Sequence, residues 1–197
     1  MTDIEARLLA AIAAEGRPSS DYDLNPSRPS VRAKTRAAGV LVPVWMTGHE
    51  PRLILTKRSS RLKHHPGQIA FPGGKVDPQD ADVVDAALRE ASEEVGLPRK
   101  TVRVLGTLPP HETVTGFSVT PVVGLIDGEF APRPEVGEVD EVFTVPLSHV
   151  TEPTNYIVQG RFWQGYNRRY YTVPYGPYYI WGATALMLRA LADRMQA

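Results

Sequence analysis

GKVDPQDADVVDAALREASEEVGL, running from Gly74 to Leu97, sets one arginine and three glutamates within six residues of an expected helix. Each helical position advances about 100°, so Glu94 falls roughly 40° from Glu90 on one side and Glu93 roughly 60° on the other, with Arg89 just beyond Glu93. The carboxylates share a face. Val84, Ala87, Leu88, Ala91 and Val95 occupy a separate apolar arc, so one side of the helix is assigned to a core and the other to charge. Asp77-Pro78 offers an N-cap with proline at the first helical position, and Asp80 and Asp82 are competing starts. Gly96 followed by Leu97-Pro98 supplies a left-handed stop.

Three like charges on one arc repel by about a few tenths of a kcal/mol per pair. A hard dication relieves this, because Mg2+ and Mn2+ prefer carboxylate oxygen and water, and Mg2+ bridges one or two carboxylates to substrate phosphates. The other reading is a solvated helix face on which Arg89 pairs with Glu93. The helix alone leaves both open.

Immediately upstream, Lys57, Arg58, Arg61 and Lys63 bring four cations into seven residues of a chain with zero formal net charge. Cations so placed can hold phosphates, and Arg58 can grip one at two points. They also suit a solvated strand edge that deters pairing with other chains. Gly73-Gly74 permits a sharp turn and close backbone approach to a ligand. His64-His65 can touch phosphate or sit in the loop before Pro66-Gly67.

Taken together, these residues resemble the Nudix hydrolases. Their box runs glycine, five residues, glutamate and seven residues. It continues with Arg-Glu, an apolar residue, any residue, Glu-Glu, any residue, glycine and an apolar residue. Arg89, Glu90, Ala91, Glu93, Glu94, Gly96 and Leu97 match its second half in order. Gly74 stands one residue too far from Arg89 and the isolated glutamate is absent, with Asp80 or Asp82 as candidate substitutes. LILTKRSSRLKHHPGQIAFPGG, from Leu53 to Gly74, is similar to the motif of the coenzyme A pyrophosphatase branch. Leu55, Thr56, Arg58, Ser59, Gly67, Phe71, Pro72, Gly73 and Gly74 fit that motif, and Lys63 stands where arginine is usual. HETVTGFSVTPVVG and YYIWGATALMLRAL also look like this branch.

The resemblance implies water attack on a phosphorus of coenzyme A or acyl-CoA, giving 4'-phosphopantetheine and adenosine 3',5'-bisphosphate. It implies Mg2+ or Mn2+ as cofactor, with Glu90 and Glu94 as principal ligands and Glu93 assisting through metal-bound water or as base. Arg89 would orient these carboxylates, while Lys57, Arg58, Lys63, Gly73 and Gly74 would hold substrate. An alternative is a Nudix hydrolase of ADP-ribose, a dinucleotide or another nucleoside diphosphate derivative. A noncatalytic nucleotide-sensing module is the alternative from another class.

Glu138 and Glu141, beside Asp140, offer either a distant base or the polar face of a strand, and the strand is preferred. His111, Thr113 and Thr115 can line a substrate entrance, although a polar turn accounts for them. The tyrosines from Tyr166 to Tyr179 can stack on adenine or meet a second copy in a homodimer, with ordinary packing preferred.

The chain has 197 residues, enough for one substantial core, and is read as a single domain. It contains no cysteine, which excludes disulfides, thiolate nucleophiles and cysteine-bound zinc. Twenty-two basic residues balance 22 acidic ones, which argues against bulk nucleic-acid binding. No apolar run approaches the roughly 20 residues a membrane span needs, and the opening MTDIEARLLAAIAAEG lacks a basic signal-peptide start. A cytoplasmic location is expected.

Residues 1–39 are read as an N-terminal helix plus a connector from Gly16 to about Gly39, and residues 40–197 as the compact core. VLVPVWM and RLILTKR predict two strands joined at Thr47-Gly48-His49-Glu50, and QIAF a short one before the acidic helix. TVRVLGTL, SVTPVVGLI and EVFTVPL continue the series, NYIVQGRFW and RRYYTVPY predict a hairpin, and IWGATALMLRALADRM a closing amphipathic helix. Helices before, between and after strands predict an α/β fold with a helix-covered sheet. The resemblance implies the Nudix α/β/α sandwich with a mixed sheet.

Overall fold

Two of the longest strands are apolar nearly throughout, which marks strands buried on both faces. In the computed structural model, residues 2–26, 35–47, 50–163 and 165–196 are described, with backbone only at Trp163 and Tyr166. The order is α1 (Asp3–Ala13), β1 (Ser19–Ser20), β2 (Arg36–Met46), β3 (Arg52–Arg58), β4 (Ile69–Ala70), β5 (Gly73–Lys75) and α2 (Val83–Val95). There follow β6 (Val102–Thr107), β7 (His111–Glu112), β8 (Phe117–Asp127), β9 (Val139–Pro146) and α3 (Leu147–Val150). The hairpin β10 (Ile157–Trp163) and β11 (Tyr166–Thr172) precedes α4 (Gly182–Gln196).

Among the described residues β1 to β9 form one mixed sheet, in which β2 and β8 run parallel from Arg36 opposite Phe117 to Met46 opposite Asp127. Pleating sends neighbouring side chains of β2 to opposite faces. Leu41 joins Ile54, Val122 and Ile126 under Ala87, Ala91 and Val95 of α2. Val42 and Val44 join Leu55, Val123 and Leu125 beneath Leu8 of α1 and Leu188 and Leu191 of α4. The result is the expected α/β/α sandwich. Leu41 is fully buried, and truncating such a side chain to alanine costs about 2–5 kcal/mol.

Several boundaries differ from those expected. β2 starts at Arg36 rather than near Val40, since its first residues already pair with β8. The stretch read as connector contributes β1, which pairs in parallel with β7. Residues 27–34 of that stretch, and Gly48 and His49 of the expected turn, lie outside the described residues. QIAF yields only Ile69–Ala70, and the Gly-Gly pair itself begins a strand, β5. A sequence rule that treats glycine as a breaker misses this, because backbone pairing with Ala38–Val40 of β2 holds β5.

That pairing positions the site. The second edge of β2 is shared, with β5 along Ala38–Val40 and β3 along Val44–Trp45. Between them Leu41 N–H donates to Pro72 O at 2.9 Å, so the chain entering β5 crosses the sheet where the two partners part. Among the described residues no helix is long and apolar enough to cross a membrane.

Candidate active site

Helix α2 begins at Val83, not at Asp77-Pro78. The Asp82 carboxylate is the cap, accepting from the N–H groups of Val84 at 2.8 Å and Asp85 at 2.9 Å. At the other end Gly96 takes the expected left-handed conformation, with φ 70°. Residues 77–81 instead fold back in a turn in which Asp77 N–H donates to Asp80 Oδ2 at 2.8 Å and Asp80 N–H to Asp77 O at 3.0 Å.

The turn delivers Asp80 to Arg89. Nε of Arg89 donates to Asp80 Oδ1 at 2.8 Å and Nη2 to Oδ2 at 2.9 Å. Nη1 donates to Glu90 Oε1 at 3.0 Å and Glu93 Oε2 at 2.9 Å, and Nη2 also to the Lys75 carbonyl at 3.3 Å. A guanidinium has five N–H donors, and these contacts use them all. The Arg89 guanidinium holds the Asp80 carboxyl down at about 2. Of the two aspartates that could stand in for the missing acid, Asp80 braces the arginine and Asp82 caps the helix.

Glu94 lies one turn beyond Glu90 and is 4% exposed. Its Oε2 accepts the Gly73 N–H at 3.0 Å, and its Oε1 lies 3.7 Å from Arg58 Nη1. Burial pushes the Glu94 carboxyl up to about 7 and the charges of Glu90 and Glu138 add to this, against the Gly73 N–H and Arg58. Glu90 is also raised, by burial first and by Glu93 and Glu138, with Arg89 opposing. Glu93 is the exposed member, its side chain 57% accessible.

The glycine pair fits around these carboxylates. A Cβ on Gly74 would overlap the Glu90 carboxylate, and one on Gly73, at φ 154°, would meet the Gly39 carbonyl oxygen at 2.5 Å. Only a bare backbone passes here.

Not all of the expected substrate residues meet at this point. Arg58 lines a cleft of about 250 Å3 with Asp21, His65, Thr113, Thr115 and Arg168. The Arg58 Nε is buried with no hydrogen-bond partner among the described residues. Lys57, one residue earlier on β3, lines a different cleft of about 600 Å3 with Arg161, Tyr178, Tyr179 and Trp181. Lys63 is exposed in the loop between β3 and β4 and lines neither cleft. Thr113 and Thr115 thus do border an opening, whereas His111 is fully buried. Its Nδ1 lies 3.0 Å from Ser19 Oγ and its Nε2 3.3 Å from Asp21 Oδ1.

Two further residues come close to these groups in the fold. Glu138 sits in the turn before β9 and its charge reaches both Glu90 and Glu94, while its carbonyl accepts Ser59 N–H at 2.8 Å. Asp21 lies in the supposed connector, yet it joins the wall of the Arg58 cleft. Burial pushes its carboxyl up, but His111, the Val114 N–H and Arg168 outweigh this and leave it below the usual range. The like charges of Glu138 and the α2 glutamates were the only available signal for the first, and none marked the second.

Among the described residues no three acidic or histidine side chains converge as a preformed metal cage. The donor set nevertheless fits a hard dication. It consists of carboxylate oxygens one turn apart, both carboxyls raised by burial first and then by neighbouring acidic charges, and Mg2+ fills its remaining positions with water. An added positive charge is what such a pair lacks.

The sheet between helices, the arginine-braced glutamates and the glycine passage define one class of enzyme. The NUDIX domain family matches residues 35–164. The chain belongs to the Nudix hydrolase family. The uncharacterized Nudix hydrolase NudL of Citrobacter koseri is 45% identical over 168 residues, covering 84% of this chain and 87% of that protein. The protein of the same name from Escherichia coli strain SMS-3-5 is 44% identical with the same coverage. Among solved structures, a MutT/nudix family protein from Enterococcus faecalis aligns with 100% of this chain and 75% of its own at a TM-score of 0.53 and 15% identity. RenU, a Nudix hydrolase from M. smegmatis, covers 60% of this chain and 74% of its own at a TM-score of 0.50 and 24% identity. These structures share the fold.

Proposed function

We propose that this Nudix hydrolase cleaves the diphosphate of coenzyme A or an acyl-CoA, producing 4'-phosphopantetheine and adenosine 3',5'-bisphosphate. The observation that carries the reading is the meeting of two separate stretches at Glu94. Arg58 and Gly73, both in the segment resembling the coenzyme A pyrophosphatase motif, reach the two oxygens of the buried glutamate on α2.

In this reading Glu90 and Glu94 would hold Mg2+ or Mn2+, and Glu93 would assist from the exposed side. Bound there, the ion supplies charge neutralisation at the phosphoryl oxygens and acidifies water. Arg89 fixes the rotamers of Glu90 and Glu93, and Asp80 fixes Arg89. Arg58 offers its guanidinium charge to a phosphate oxygen in the adjoining cleft. Gly73 and Gly74 let the chain pass without side chains in the way. Water attacks one phosphorus, the bridging P–O bond breaks, and the leaving phosphate takes the electron pair.

Incubating the purified protein with coenzyme A, ADP-ribose and a dinucleotide in Mg2+ or Mn2+, with products identified by mass, tests this. Preferential release of 4'-phosphopantetheine is expected. Equal turnover of coenzyme A and ADP-ribose would remove the coenzyme A assignment and leave a broader diphosphatase.

A further inference from the structure

The β10–β11 hairpin carries a charge arrangement that the chemistry above does not use. Arg161 stands directly opposite Arg168 in its register, and like charges facing each other across an antiparallel pair destabilise it. Side chains alternate along a strand, so Gln159, Arg161, Arg168 and Tyr170 share one face. Arg168 and Tyr170 on that face are half-buried, while Gln159 and Arg161 are exposed. The Tyr179 hydroxyl donates to Gln159 Oε1 at 2.7 Å, and Tyr170 meets Trp181 edge-on with ring centroids 5.2 Å apart.

The two arginines serve different clefts. Arg168 lies 3.2 Å from Asp21 Oδ2 and lines the Arg58 cleft. Arg161 lines the larger one, with Lys57 as the second cation. The acid there, Glu141, is engaged, its Oε1 accepting the Tyr178 hydroxyl at 2.5 Å while the Tyr178 ring stacks on Phe143. Gln68, Ile69 and Trp181 line both clefts, which are therefore neighbouring halves of one surface.

We infer that Arg161, with Lys57, forms a second anion subsite that takes a phosphomonoester on the nucleoside end of the substrate, beside the faces of Tyr179 and Trp181. A phosphomonoester carries close to two negative charges and three acceptor oxygens, and a guanidinium grips it at two points. Aromatic faces beside it suit a base. The aromatic wall of the subsite, Tyr178, Tyr179 and Trp181, lies beyond residue 164, where the family match ends, as expected of a device for substrate choice rather than shared chemistry. It rests on the proposed diphosphatase reading and names what distinguishes coenzyme A, which bears a 3'-phosphate, from ADP-ribose and simple dinucleotides, which lack a monoester.

The test compares coenzyme A with dephospho-CoA, identical except for that 3'-phosphate. Wild-type protein is expected to show a kcat/KM at least about tenfold higher for coenzyme A, expressed mainly in KM, as for loss of a charge-assisted contact. Arg161→Ala should collapse that ratio toward one, and Arg161→Lys should restore part of it. Equal handling of the two substrates by wild type, or an unchanged ratio in Arg161→Ala, overturns the inference while leaving the reaction intact. Calorimetry with adenosine 3',5'-bisphosphate against adenosine 5'-monophosphate reads the subsite without turnover. Tighter binding of the bisphosphate that is lost in Arg161→Ala supports it even if no CoA species is hydrolysed. Equal binding of the two nucleotides counts against it.

Discussion

Arg89 grips Asp80 through two parallel bonds, Nε to Oδ1 at 2.8 Å and Nη2 to Oδ2 at 2.9 Å, across nine residues of chain. The aspartate touches none of the glutamates expected to bind metal, yet it sets the arginine that orients Glu90 and Glu93. Removing its charge should therefore act on catalysis at a distance. Asp80→Asn is expected to lower kcat about 10- to 100-fold, the range seen when an outer partner of a metal ligand is lost. Arg89→Lys should do no better, because an ammonium cannot supply five donors in a planar fork. Steady-state kinetics with circular dichroism as a folding control would check this, and near wild-type kcat in Asp80→Asn would refute the bracing role.

Glu94 gives a pH signature in the metal-free protein. Its folded-state pKa, about 7, lies above the ordinary value of 4.5, so between those limits the folded protein keeps a proton that the unfolded chain releases. Stability from this group is complete below about 4.5 and is lost as pH rises through 7. Glu94→Gln does not titrate. In chelator, its stability advantage over wild type should grow from near zero at the acid end to on the order of 3 kcal/mol above neutrality. Activity should be abolished by the same change. Urea unfolding of both proteins across the pH range measures the difference, and parallel curves would show that Glu94 is not penalised by burial.

The N-terminal arm makes a separate prediction. His111 is fully buried between Ser19 Oγ and the Asp21 carboxylate, and β1 and β7 make only a two-residue ladder. His111→Ala leaves a cavity and two unpaired polar groups, costing about 2–4 kcal/mol. Backbone amides at Ser19 and Asp21, which bond to Pro110 O and Glu112 O, should lose hydrogen-exchange protection before those of β2. Uniform loss across the sheet would instead make the arm part of the global core.

The acidic helix, its apolar stripe and its glycine stop were legible because a 3.6-residue period and a left-handed cap are local properties. Both faces of the sandwich followed from the doubly apolar β2 and β8. What escaped was set by distant partners. Asp21 and Ser19 look like loop residues until β7 arrives beside them, and Gly73–Lys75 becomes a strand only because β2 offers an open edge there. Of the three helix starts the sequence offers, Asp77-Pro78 is a sound cap by composition, Asp80 is recruited by Arg89, and Asp82 is the one that caps. Lys57 and Arg58 were grouped by sequence, and the alternation of β3 sends them to different clefts.

Gly74 completes the predictions. Its backbone lies against the Glu90 carboxylate so closely that an added Cβ would stand well inside contact distance of Oε1. Gly74→Ala must then displace either β5 from Ala38–Val40 or Glu90 from its bond to Arg89. The side chain is the softer of the two, since its rotamer can change while the ladder cannot shift without losing hydrogen bonds. Activity should therefore fall by at least about tenfold, as expected when a reacting group is displaced by about 1 Å. Stability should change by less than about 1.5 kcal/mol, within the range of tolerated packing changes. Parallel assays of kcat and thermal unfolding separate the outcomes. A large loss of stability would mean that the strand moved, and unchanged activity would mean that the position of Glu90 does not matter to the chemistry.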